Sequence, residues 1–73
     1  MIITLDSKDI SLLKDGGISY SPSKDYSDDE ALTLLDKVRD LEVEYAQDYG
    51  NEREKLFYLY GNLADKIQNQ IPD

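Results

Sequence analysis

Two stretches of this chain repeat their apolar residues at helical spacing, and a glycine stands between them. In the first, Ala31, Leu34, Leu35, Val38, Leu41, Tyr45 and Tyr49 fall on one side of a helix that turns about 100° per residue. In the second, Leu56, Leu59, Tyr60, Leu63, Ala64 and Ile67 do the same. Gly50 suits the left-handed position that closes a helix, so the spacing predicts long helices over 27–49 and 52–70. A link that short folds the pair into an antiparallel hairpin. Two helices share only one seam, however, and stripes this wide need further cover.

The first helix carries its own start signal. Ser27-Asp28-Asp29-Glu30 has the form of a capping box, with Ser27 set to accept from the Glu30 amide and Glu30 set to reach back. Acids in that turn also meet the positive end of the helix dipole. The cover must come from residues 1–24. Residues 1–5 (MIITL) are apolar and partly β-branched, as in a short strand. Asp6 or Ser7 can cap a short helix bearing Ile10 and Leu13, which Gly16-Gly17 stops. Residues 17–21 alternate apolar and polar, as a half-buried strand does, until Pro22 ends them. The expected fold is therefore α+β and mostly α: one small domain in which a strand–helix–strand lid sits on a two-helix hairpin.

Charge is distributed unevenly. The 73 residues carry a net charge of −8. Between Asp25 and Glu54 eleven acids stand against three bases, while the acids and bases of the other residues cancel. Such a field repels phosphate backbones and anionic lipid, which argues against direct nucleic-acid or membrane binding. It favours a basic protein partner. Asp36, Asp40, Glu44 and Asp48 lie four apart on the solvent side of the first long helix, a spacing that costs an isolated helix about 0.2–0.5 kcal/mol per like-charged pair. Arg39 and Lys37 can relieve Asp36 and Asp40, but Glu44 and Asp48 have no such neighbour and approach the negative end of the dipole. Glu52 and Glu54 extend the patch, and Tyr58, opposite the apolar stripe, adds an exposed aromatic beside Gly61. Charges that work against their own helix point to a purpose outside folding.

Catalytic and cofactor chemistry finds little support. The chain has no histidine and no cysteine, so thiol nucleophiles, the usual neutral-pH base and zinc ligation by these residues are absent. Residues 25–36 do not make a calcium loop, because Glu30 occupies the position that needs glycine and Asp36 the one that needs glutamate. Glu42 falls inside the apolar stripe, where a carboxylate needs a partner such as Arg39, Arg53 or a tyrosine hydroxyl. One such group is not an acid–base pair. No run of 18 apolar residues suggests a membrane span, and no basic-then-apolar leader suggests export, so a cytoplasmic protein is expected.

The functional reading that follows is a non-catalytic acidic interaction module without cofactor. It docks a basic partner through residues 36–54, using Asp40, Glu44, Asp48, Glu52, Glu54 and Tyr58. Two other classes fit the same composition. One is a nucleic-acid mimic that inhibits a nuclease or other nucleic-acid-handling protein, as an antitoxin or anti-defence factor does. The other is a structural or helical assembly component whose uncovered apolar stripe pairs with itself or with a helical subunit.

Overall fold

The computed structural model describes residues 1–47, 50 and 54–72. Three helices form in it: α1 (Ser7–Asp15), α2 (Asp28–Ala46) and α3 (Glu54–Gln68). Each of the first two begins on a reciprocal capping box. Asp6 accepts from the Asp9 amide while Asp9 takes the Asp6 amide, and Ser27 and Glu30 do the same for α2. Gly50 is left-handed, at φ 89°. The expected positions of Asp48, Tyr49, Glu52 and Arg53 lie outside the described residues.

α2 and α3 run antiparallel. Arg39 reaches Asp65 and Gln68 near the end of α3, whereas Tyr45, further along α2, stacks on Tyr60 nearer its start, with ring centroids 5.5 Å apart. Ala31, Leu34, Leu35 and Val38 of α2 close on Tyr60, Leu63, Ala64 and Ile67 of α3, all buried. The first 26 residues complete this core with Ile3, Leu13, Ile18 and Tyr26. The Tyr60 hydroxyl ties the layers together by donating to the Leu12 carbonyl of α1 at 2.7 Å. Burial among these side chains raises its pKa above the ordinary phenol value.

The strand lid does not form. Among the described residues there is no strand or sheet, only one isolated antiparallel bridge between Ile2 and Asp25, so the fold is helical rather than α+β. The backbone hydrogen bonds explain why. Met1 exchanges bonds with Tyr26, the Ile3 carbonyl accepts from the Tyr20 hydroxyl, and the Gln70 carboxamide takes both the N–H and the C=O of Thr4, at 2.7 and 3.0 Å. At Ile3 and Thr4 side chains thus satisfy groups that a neighbouring strand would have taken, and the backbone pairing stops at Met1–Tyr26.

Residues 17–21 are likewise diverted. Gly17, at φ 73°, donates to Lys14, and Ile18 donates back to Leu13 at 2.9 Å, the paired bonds that close a helix on a left-handed residue. Ile18 and Leu13 are both buried, as the apolar contact of such a cap requires. The alternating pattern in this segment therefore serves a helix end and not a ladder.

Candidate interaction surface

The outward side of α2 follows from its inward side. With Ala31, Leu34, Leu35 and Val38 buried, the helical period turns Asp36, Asp40 and Glu44 to solvent, and all three are exposed. None of them makes an ion pair with a described residue. Arg39 does not relieve Asp36. Its guanidinium bridges Glu42 at 2.9 Å, Asp65 at 3.1 Å and Gln68 at 2.7 Å, which clamps α2 to α3. The Glu42 carboxylate beside it, and Asp65 beyond, hold Arg39 above its usual pKa. Glu42 is thereby the partnered carboxylate that its position in the stripe demands, half-buried and lying against Gly61, where a Cβ would stand 2.8 Å from its Oε2.

Apolar groups share the acidic side. Val43 is 68% exposed and Leu32 46%, both projecting from the same half of α2 as Asp36 and Asp40. Of the other nominated residues, Glu54 is half-buried at the start of α3, where it accepts from the Gly50 amide at 3.1 Å and the Tyr58 hydroxyl at 3.2 Å. Tyr58 is 50% exposed and tilts against Phe57. Asp48 and Glu52 lie outside the described residues. The structure thus sets Asp40 and Glu44 on one helix face and binds Glu54 to Tyr58 on another helix.

Sequence reasoning passed over two features. The Arg39 clamp was legible only as local pairs, since nothing in the spacing fixes which residues of α3 oppose it. Nor was there a signal for the groove between α2 and residues 19–26, where Tyr20 and Tyr26 stack with ring centroids 6.1 Å apart.

Among the described residues no group of acidic side chains is arranged to hold a metal ion. No described helix is long and apolar enough to cross a membrane. No protein-family model matches the chain, and neither a curated protein nor a solved structure matches it.

Proposed function

We propose that this chain is a non-catalytic interaction module that docks a basic protein through the acidic outer side of residues 36–54. One observation carries the reading: Asp36, Asp40 and Glu44 stand in an exposed row that makes no ion pair among the described residues, on a helix whose core contacts lie on the opposite side. Charge of one sign speeds encounter with a cationic surface and selects against anionic ones. Val43 and Leu32 supply apolar area that the complex can desolvate. The cytoplasm is the compartment proposed. Small secreted domains with little core are usually rich in disulfides, and this chain has no cysteine.

The test is retention of source-cell proteins on the immobilised chain. A basic protein that elutes as salt rises, and that an Asp40→Lys/Glu44→Lys variant no longer holds, supports the proposal. Partners retained equally by the variant at all salt concentrations would contradict it.

A further inference from the structure

A groove of about 520 Å³ runs between residues 19–26 and the first turns of α2. That volume falls within the ~300–1,000 Å³ typical of ligand clefts. Tyr20, Tyr26 and Leu34 line it, and three features of the lining are unused by the fold. First, the backbone N–H and C=O of Ser19 and Tyr20 make no hydrogen bond with a described residue. The segment around them runs on without a turn from Ile18 to Ser21. Second, the Tyr26 hydroxyl accepts from the Ser21 amide at 3.0 Å, and its own proton has no acceptor among the described residues. Third, two of the four charges on the lining are unpaired. Lys24 is closed onto Glu30 and sits 5.0 Å from the Tyr26 ring centre, whereas neither Asp29 nor Lys37 has an ion pair with a described residue.

These features describe one wall with free backbone groups, an aromatic floor, and opposite charges toward the two ends. Asp29 and Lys37 are eight residues apart on α2, a rise of ~12 Å. Four steps of an extended peptide cover ~13 Å. We propose that this groove binds an extended peptide laid alongside residues 19–21, with a cationic side chain at its Asp29 end and a carboxylate at its Lys37 end. The N–H and C=O of one of Ser19 and Tyr20 take the peptide backbone, since adjacent residues of an extended segment turn theirs to opposite sides, as in the addition of a strand to a free edge, and the Tyr26 hydroxyl donates to a peptide carbonyl. The charges then fix which way the peptide runs. The site shares no residue with the acidic row, although Lys37 stands next to Asp36 and one turn from Asp40, and either can fail without the other.

The experiment is an amide nuclear magnetic resonance titration of the full chain with a blocked Lys-Val-Thr-Val-Glu pentapeptide. The proposal predicts that the largest shifts fall on residues 19–21, and that the amide of one of Ser19 and Tyr20 exchanges more slowly with solvent. A blocked Gln-Val-Thr-Val-Gln peptide, or a Lys37→Ala chain, should weaken binding about two- to fivefold for each exposed ion pair removed. Lys37 is a surface residue, and unchanged spectral dispersion confirms that its variant folds. Absence of shifts at residues 19–21, or affinity indifferent to both charge changes, overturns the proposal. So does a groove that answers to benzoate through Lys37 and Tyr26 while ignoring the peptide, since that is a small-anion site.

Discussion

Gly16 and Gly17 are adjacent, and the structure gives them different reasons to be glycine. Gly16 has an ordinary backbone, at φ −83°, but a Cβ there would stand 2.5 Å from Leu41 Cδ1 and 3.3 Å from the Tyr60 hydroxyl. Carbon atoms in good contact sit at about 3.5–4.0 Å, so Leu41 must move by ~1 Å or more. Overpacking of that kind costs about 1–3 kcal/mol. The lower freedom of alanine in the unfolded chain returns about 0.4–1 kcal/mol. Gly16→Ala should therefore lose up to about 2.5 kcal/mol, and each kcal/mol lowers Tm by about 4–8 °C in a domain this small.

The cause can be separated from the cost. Trimming Leu41 makes room for the new methyl, so Gly16→Ala/Leu41→Ala should be more stable than the sum of its single variants implies, by about 1 kcal/mol. Gly17 is the control. A Cβ there meets nothing within 4 Å, and its φ of 73° alone makes alanine strained by about 1–2 kcal/mol, a loss that Leu41→Ala should leave untouched. Thermal and urea unfolding followed by far-ultraviolet circular dichroism would measure all five variants. A Gly16→Ala protein more stable than the parent, or strict additivity with Leu41→Ala, would refute the close approach of α1 to the hairpin.

Three further outcomes are expected. Tyr60→Phe keeps the stack on Tyr45 but removes the bond to Leu12, whose carbonyl still accepts from Gly16 at 3.0 Å. The loss should be about 0.5–1.5 kcal/mol, read as a lower urea midpoint. Arg39→Met removes the clamp across the helices and leaves Glu42 without its guanidinium, at about 1 kcal/mol. Adding Glu42→Gln should recover part of that in the same assay. The Glu30 carboxyl is held down to about 2 by the Lys24 ammonium and then by the Ser27 amide. Its contribution to stability is complete above the ordinary carboxyl value of 4.5 and fades as the pH falls toward 2. An acid titration of Glu30→Gln should accordingly show a shallower loss across that window than the parent.

The helices were legible because their signals are local. Capping residues, the 3.6-residue period and Gly17 each act within a turn or two, and the structure uses them so. The absent strands show the limit of that reasoning. Alternation over residues 17–21 is real, but a strand also needs a neighbour with free backbone groups, and the neighbour is set by long-range contacts. Gln70 and Tyr20, 66 and 17 residues from their backbone partners, took the groups of the first segment instead. The acidic row was likewise readable from spacing, since burial of one side of α2 exposes the other. The direction of Arg39 was not, because Asp65 and Gln68 become its neighbours only when the hairpin closes.

A docking role for the outer side of α2 requires that its charges be dispensable for folding. Urea unfolding of an Asp36→Asn/Asp40→Asn/Glu44→Gln chain tests that directly. Relief of two like-charged neighbouring pairs predicts a variant as stable as the parent or up to about 1 kcal/mol more stable. A variant less stable by about 1 kcal/mol or more would show that these carboxylates hold the fold together, and the case for a partner waiting on them would fall.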